Sequence, residues 1–382
     1  MILECFQNKK FNVLWTAGCM TGVARAMEFL ALSLFILENI GIAFLITIIF
    51  AIRMLPMSLL GIFIGSISEK VNASNVVKFL YLCSTIIVLT CFILEINKSF
   101  NIYFALILAF TNGTTWVVDL AVRRRIITEN IEEKLLSTAL AMETLSNNAT
   151  RLIGPLLTGF LYIMIGLKGL FIILFILYLI ALILIIFFQK KNDEIEIQDN
   201  NISFYSETTN LYVNTKKIVL HGIKEAKLRL LLVVTLVFNL FGFPLISLVP
   251  VYGKNNLNLS EFDIGVLASS EGLGALIGSL IIARFSPQKK LSLLFLIGCI
   301  GFFVGMLTFS ISPNLLTGFC CLTFGGIFLS GFSTMQGALT FRSAEKGERG
   351  YNFGILVTCI GFAPLGLIYL SFLITLLPVE NL

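Results

Sequence analysis

The chain has 382 residues, of which 57% are hydrophobic and only 13% charged, and its mean hydropathy is +0.94. Soluble domains carry about 25% charged residues, so this composition excludes an ordinary soluble protein. The net charge of +5 does not indicate nucleic-acid binding, because the basic residues concentrate in loops where the positive-inside rule and anionic lipid headgroups explain them.

Apolar runs of about 20 residues, the length that a helix needs to cross a bilayer, recur along the chain. They predict eleven membrane-spanning helices, called spans 1 to 11: 12–37, 42–65, 76–95, 102–122, 138–164, 168–188, 229–251, 262–284, 290–311, 315–340 and 351–376. If the N-terminus is cytoplasmic, the opposite side holds only Lys98, Lys168 and Lys254. The sequence therefore predicts a multi-pass protein of the bacterial inner membrane, with a cytoplasmic N-terminus.

The spans divide into two groups around the only long polar stretch. We expect an N-terminal half of six spans (1–188), a central cytoplasmic loop (189–228) and a C-terminal half of five spans (229–382). Span 5 contains IGPLLTG and span 11 contains IGFAPLG. Such internal similarity around a central loop is typical of transporters that bind substrate between two halves near the bilayer midplane.

Five charged residues lie near the middle of their spans: Arg25, Glu28, Arg53, Arg151 and Glu271. Each costs at least about 2.5–3.5 kcal/mol at that depth, and such residues usually face a bundle interior or an aqueous cavity. Glu28 and Arg53 have similar depths on neighbouring spans, so they can pair. A buried carboxyl at Glu28 or Glu271, beside Arg25 or Arg53, is a candidate proton-coupling group; a permanent structural ion pair is the alternative.

Two further sets of residues lie nearer the ends or bends of the spans. Asp119 and Glu143 are close to the cytoplasmic ends, where pairing with Arg123–Arg125 is the plainer explanation. In span 5, the segment RLIGPLLTGFL combines an arginine with helix-breaking residues, and it predicts a bend and close helix packing. Its candidate hinge residues, with the related proline of span 11, are Arg151, Gly154, Pro155, Gly159 and Pro364.

Other chemistries lack their sequence signals. The chain has no GxxxxGK[ST] motif for an ATP-driven pump and no HExxH or GxSxG motif for a hydrolase. The eight cysteines show no metal-ligand spacing and read as small apolar residues. We therefore expect a protein that is not an enzyme and that has no cofactor or metal.

The loop GSISEKVNAS, with Gly65, Glu69 and Lys70, resembles the signature loop of the major facilitator superfamily, although Asn72 and the two residues after it replace the usual glycine and basic pair. The stretches ARAMEFLALSLFI, FAIRMLPMSLLGIFIG, RLIGPLLTGFL and ERGYNFGILVTCIGFAPLG resemble the branch that contains enterobactin exporters and macrolide efflux pumps. This resemblance implies an all-α fold of two helical bundles and a monomeric, proton-coupled exporter of a small amphipathic molecule.

The resemblance also assigns expectations to individual residues. In the family fold the first helix of each three-helix repeat lines the cavity, which makes Trp116, Asp119, Asn239, Ser333 and Gln336 candidate substrate contacts. Ordinary helix packing is the alternative for them. In antiporter branches the Gly-Pro…Gly element is associated with closing the path against leak. The chain stops six residues after span 11, so a twelfth helix is not expected.

The function expected from the sequence is export of a drug or a siderophore-like metabolite, by proton antiport. An importer of the same fold and a shortened, non-transporting membrane protein are the alternatives. The mid-span charges sum to +1, from three arginines and two glutamates, which favours an anionic substrate.

Overall fold

The structure is a computed structural model that describes residues 2–67, 73–123, 126–127, 130–190, 226–285, 291–343, 355–356 and 358–376. Within these ranges the chain is helical and contains no strand. Glu69 and Lys70 of the signature loop lie outside the described residues, as does the central loop from 191 to 225, whereas Gly65 falls inside the helix of span 2.

Spans 1 to 6 are formed by helices that follow one another with short connections. A short helix, Ile2–Gln7, precedes span 1, and Gly166 (φ 64°, ψ −173°) breaks the last element between spans 5 and 6 in a conformation that favours glycine. The elements are Lys9–Asn39, Ala43–Ile67, Ala73–Ile96, Ile102–Val118 with a π-helical turn Asp119–Arg123, and Glu133–Lys190.

Span 7 differs from the continuous helix that the sequence predicts. It runs as Ala226–Val237, a π-helical turn Phe238–Gly242, a 3-10 segment Phe243–Leu248 and a last helix Val249–Asn255. Pro244 has no amide hydrogen and its ring clashes with the preceding turn, so the regular α-helical ladder cannot continue through it. Spans 8 to 11 are Glu261–Phe285, Leu291–Ser310, Leu315–Arg342 and Ala363–Leu376.

The apolar helices account for all eleven predicted spans. Seven described helices are long and apolar enough to cross a membrane, and one of them, Thr138–Phe188, is 51 residues long and contains spans 5 and 6. Three shorter apolar helical stretches, Phe44–Leu59, Ile102–Val118 and Thr358–Leu370, lie within the predicted spans 2, 4 and 11. The prediction of an all-α polytopic membrane protein is confirmed.

Spans 1–6, called here the N-terminal half, and spans 7–11, the C-terminal half, make their most extensive contacts among the described residues along two helix pairs. Spans 2 and 11 share a buried apolar cluster that includes Met54 and Leu367. Spans 5 and 8 approach so closely that a Cβ at Gly265 would lie 2.7 Å from the Pro155 carbonyl oxygen, and one at Gly272 would lie 2.5 Å from the Arg151 carbonyl carbon. Small residues therefore bring the two halves into direct backbone contact.

Candidate functional site

A cavity of about 180 Å³ lies between the two halves. Its apolar wall comes from both of them and includes Phe29, Phe50 and Trp116 of the N-terminal half with Phe243 and Phe302 of the C-terminal half. Four of its lining residues are charged, namely Arg25, Arg53, Arg151 and Glu271. Four of the five mid-span charges that the sequence singled out thus meet in one chamber.

The cavity is small for a binding site. Ligand pockets usually occupy about 300–1,000 Å³, so in this conformation the chamber of about 180 Å³ holds only a small solute. Phe50 stacks on Phe243 across the two halves, with ring centroids 5.5 Å apart. This ring pair closes one side of the cavity by a direct contact between the halves.

Arg151 and Glu271 form an ion pair that connects the halves through spans 5 and 8. The Arg151 Nη2 atom donates to Glu271 Oε1 at 2.5 Å, and the two side chains are 33% and 10% exposed. Gly272, the residue after Glu271, has no side chain and lies directly against the backbone of span 5. The sequence did not indicate a partner for Arg151, and in the structure that partner is an acid of the opposite half.

Arg53 has a different environment from the other two arginines of the cavity. Its guanidinium carbon lies 5.2 Å from the ring centroid of Phe29 and 5.6 Å from that of Trp116, both within the range of cation–π attraction. Within the described chain, no hydrogen bond or ion pair joins Arg53 to Glu28, and Arg53 Nε is buried without a partner. Pairing of Glu28 with Arg53 therefore stays a prediction, and the contacts that the structure shows for the guanidinium are those with the two aromatic rings.

Glu28 does not line the central cavity. Its side chain is 1% exposed, and Oε2 has no hydrogen-bond partner among the described residues. The side chains of Asn112 in span 4 and Tyr178 in span 6 are its neighbours. Both amide atoms of Asn112 and the Tyr178 hydroxyl are also buried without a partner. Spans 1, 4 and 6 thus bring together buried polar groups that make no well-formed hydrogen bond among the described residues, although Asn112 and Tyr178 lie close enough to interact with the Glu28 carboxyl.

A second network, centred on Asp119, is fully satisfied. Tyr81 donates its hydroxyl to Asp119 Oδ1 at 2.6 Å, and Arg25 forms an ion pair with Oδ2. Arg123 contacts Asp119 through Nε at 3.3 Å and makes a bidentate pair with Glu143 at 2.6 and 2.9 Å. The predicted pairing of Asp119 and Glu143 with Arg123 is confirmed. Two acids and two arginines give this cluster no net charge.

Several predicted substrate contacts lie elsewhere. Trp116 lines the cavity, whereas Asp119 lies behind Arg25 in a separate cavity of about 20 Å³. Gln336 donates to Thr235 Oγ1 at 2.9 Å, across spans 10 and 7, and Asn239 and Ser333 bond to backbone carbonyls within their own helices. Asn239, Ser333 and Gln336 are absent from the lining of the cavity, so contact of these three side chains with a substrate stays a prediction, with helix packing as its alternative.

The predicted hinge residues lie at helix contacts. Gly154 packs on span 1 at Ala26, Gly159 packs on the start of span 8, and Pro155 lines the cavity. Pro364 is buried near the start of the helix Ala363–Leu376. Asn112 and Tyr178 are not among the residues predicted from the sequence. Each is nevertheless a polar side chain in the middle of a span, far from the membrane interface where tyrosines concentrate.

Comparisons with known proteins agree with this architecture. A family model described as "Major Facilitator Superfamily" matches residues 14–366. The Staphyloferrin A transporter of Staphylococcus aureus (strain NCTC 8325 / PS 47) is 21% identical over 345 residues, covering 90% of this chain and 84% of the relative.

Among solved structures, an inward-facing bacterial homologue of the iron transporter ferroportin superposes with a TM-score of 0.68 at 16% identity, covering 98% and 93% of the two chains. A POT family transporter in complex with 5-aminolevulinic acid gives 0.74 at 12% identity, covering 97% and 91%. At these identities the structural likeness shows the fold alone.

Proposed function

The chain belongs to the Major Facilitator Superfamily, and from that premise we propose that it is a secondary active transporter that exports a small amphipathic molecule, driven by protons, through alternating access. The observation that best supports this proposal is the central cavity, because both halves form its wall and it combines aromatic rings with charged side chains. Such walls suit a cargo with an apolar body and a charged or polar group.

The charge balance of the cavity favours an anionic group on the cargo. Arg25 is neutralised by Asp119, and Arg151 by Glu271. Arg53 is the lining cation left without an ion pair within the described chain. Its guanidinium can therefore donate hydrogen bonds to a carboxylate or sulfonate of a cargo whose apolar part rests on Phe29 and Trp116.

The relatives support a metabolite as cargo. The Staphyloferrin A transporter covers nearly the whole chain, so a siderophore-like metabolite is the first cargo class we propose, and an amphipathic drug is the second. Placement in a bacterial inner membrane with a cytoplasmic N-terminus, action as a monomer and export rather than import are parts of the same proposal. Import remains the alternative direction, because the fold serves both.

We infer alternating access from the contacts between the halves that have been described. We propose that spans 5 and 8 part when the Arg151–Glu271 pair breaks, and that Gly154, Pro155 and Gly159 let span 5 bend during that movement. Glu28 is the proposed proton carrier, because burying an unpaired carboxylate costs far more than burying the neutral acid.

The test is transport in proteoliposomes with an imposed pH gradient of either sign. An amphipathic aryl sulfonate and an amphipathic quaternary cation serve as probes, and a protonophore removes the gradient. We expect probe flux that follows the gradient, is lost in Arg53→Gln, and persists in Ser333→Ala, whose hydroxyl bonds within its own helix. A folded protein that moves neither probe would support the non-transporting alternative.

A further inference from the structure

A second, small cavity adjoins the central one inside the N-terminal half. It has a volume of about 20 Å³ and lies between spans 1, 4 and 5. Arg25, Trp116 and Asn147 line both cavities. The rest of its wall comes from residues nearer the predicted cytoplasmic ends of the three spans, namely Gly18, Cys19, Asp119, Arg123, Glu143 and Ser146. The small cavity is therefore a side chamber that continues the central cavity towards the predicted cytoplasmic side.

The ionic groups of the small cavity are already paired with one another. Arg25 and Arg123 both contact Asp119, and Arg123 makes its bidentate pair with Glu143 at 2.6 and 2.9 Å. Two arginines and two acids leave the chamber without net charge. Because each carboxylate is bonded to an arginine, neither a cation nor an anion finds an uncompensated partner there among the described residues. A neutral group that forms hydrogen bonds suits this chamber better than an ion does.

Asn147 has hydrogen-bonding capacity that no described residue uses. It lies one turn after Glu143 and one turn before Arg151, so the three residues follow one face of span 5. Glu143 is bonded to Arg123, and Arg151 to Glu271. The side chain of Asn147 is exposed, and only its backbone carbonyl accepts a hydrogen bond within the described chain. A carboxamide that lies well inside a span and lines two cavities is placed to contact a solute.

The volume of the small cavity limits what can occupy it. A cavity needs about 10–15 Å³ to hold a single water molecule, so about 20 Å³ gives room for one group of that size. A hydroxyl at the end of a cargo fits this space, whereas a ring does not. The carboxamide of Asn147 can both donate to a hydroxyl and accept from it.

We propose that the small cavity is a second subsite for the cargo, and that Asn147 selects cargo molecules that carry a neutral hydroxyl besides their anionic group. The anionic group lies at Arg53, the apolar body lies on Phe29 and Trp116, and the hydroxyl reaches past Trp116 to Asn147. Trp116 lines both cavities and lies 5.6 Å from the Arg53 guanidinium carbon, so its ring stands between the two polar groups. The cargo class is a hydroxylated amphipathic anion.

This inference rests on the proposed function and narrows its cargo from amphipathic anions to hydroxylated ones. A site that forms a hydrogen bond with a hydroxyl of its substrate discriminates against the analogue that lacks the hydroxyl. For a neutral hydrogen bond the expected preference is about three- to tenfold in affinity. If ordered water alone occupies the small cavity, a hydroxyl on the cargo has no such effect.

Equilibrium dialysis of radiolabelled probes against the protein in nanodiscs at neutral pH tests this subsite. The probes are phenylpropanoate and its para-hydroxy and para-methoxy derivatives, which share one carboxylate, one ring and a flexible linker. The hydroxyl can donate and accept, whereas the methoxy group only accepts and is larger. We expect the parent protein to bind the hydroxy probe about three- to tenfold more tightly than phenylpropanoate, and the methoxy probe no more tightly than phenylpropanoate.

Three variants locate the preference in the small cavity. Asn147→Leu keeps a similar volume without the amide, and should bind all three probes with the parent's affinity for phenylpropanoate. Ser146→Val fills the small cavity and replaces a hydroxyl that bonds to the Met142 carbonyl in its own helix; it should also lose the preference, and it tests the subsite if Asn147→Leu does not fold. Thr144→Val is the matched control, because Thr144 lines neither cavity and bonds to the Leu140 carbonyl; it should keep the preference.

Equal binding of the three probes by the parent, or a preference that survives in Asn147→Leu, would overturn the inference and leave water as the occupant of the small cavity. Tighter binding of the methoxy probe than of the hydroxy probe would also overturn it, because apolar area rather than hydrogen bonding would then govern affinity. A parent that binds none of the probes would contradict the anionic cargo of the proposed function, and this inference with it. Since binding is measured at equilibrium without transport, these outcomes distinguish failure of the subsite from failure of the proposed function.

Discussion

Breaking the Arg151–Glu271 pair should shift the protein away from the conformation described above. The pair joins spans 5 and 8 of opposite halves at 2.5 Å. Arg151→Gln and Glu271→Gln each remove one charge while keeping a side chain of similar size. Both variants should therefore weaken the contact between the halves without emptying its volume.

The free energy lost on breaking this ion pair depends on how exposed the two side chains are. Removing one partner of a fully buried pair costs about 3–5 kcal/mol, whereas an exposed pair contributes about 0–1 kcal/mol. Arg151 is 33% exposed and Glu271 is 10% exposed, so an intermediate loss of about 1–2 kcal/mol is expected. A loss of that size changes a conformational equilibrium by a factor of about 5–30.

Pulsed electron–electron distance measurements can follow that equilibrium. Spin labels attached through unnatural amino acids at Met164 and Leu316, which are 65% and 73% exposed, report on the ends of spans 5 and 10 in opposite halves. Each single variant should add or enlarge a population with a longer distance. The charge exchange Arg151→Glu with Glu271→Arg should restore the original distribution.

The matched control lies within one half. Lys254 donates to Glu261 at 2.7 Å, and both residues belong to the C-terminal half, so Lys254→Gln should leave the distance between the labels unchanged. Unchanged distances in both single variants would refute the view that the Arg151–Glu271 pair holds the halves together. Failure of the charge exchange to recover the distribution would show that geometry, rather than charge, governs this contact.

Three further predictions concern packing and the charged network. Gly272→Ala places a Cβ against the backbone of span 5 and should slow transport at least tenfold, whereas Gly337→Ala, whose Cβ meets nothing within 4 Å, should transport normally; flux in proteoliposomes compares them. Pro155→Ala should raise proton leak without cargo while expression is unchanged, as measured with a pH-sensitive dye, and a tight variant with normal flux would contradict its role as a hinge. Asp119→Asn leaves Arg25 without its acid and should lower stability by about 3–5 kcal/mol, seen as a lower melting temperature in detergent.

The sequence predicted the spans and the depth of their charges because both follow from local properties. Span length and apolarity come directly from the bilayer, and the cost of a charge at the midplane identified Arg25, Arg53, Arg151 and Glu271 before their arrangement was known. All four line one cavity. The position of a residue within its span gives its depth in the membrane, so it was predictable that these charged residues lie at a similar depth.

Pairing was less predictable, because it depends on which face each helix turns to its neighbours. Glu28 and Arg53 share a depth, yet Arg53 lies on the rings of Phe29 and Trp116. Arg151 finds its acid 120 residues away in the other half. Rotation of a helix about its axis is set by packing with several others, and an almost wholly apolar span carries little periodic signal to fix it.

The two halves contribute unequally to the charged side chains of the cavity. The N-terminal half supplies Arg25, Arg53 and Arg151 to the cavity and holds Glu28 beside it, whereas the C-terminal half supplies Glu271 and otherwise mainly apolar walls. Glu271 is used by the contact that must break when the halves separate. In the proposed mechanism, proton binding and cargo charge would act within the N-terminal half, and among the described residues the Arg151–Glu271 ion pair would carry the effect to the C-terminal half. A cargo anion that reaches Arg151 would compete with Glu271 for the same guanidinium and so weaken the contact between spans 5 and 8 as it binds.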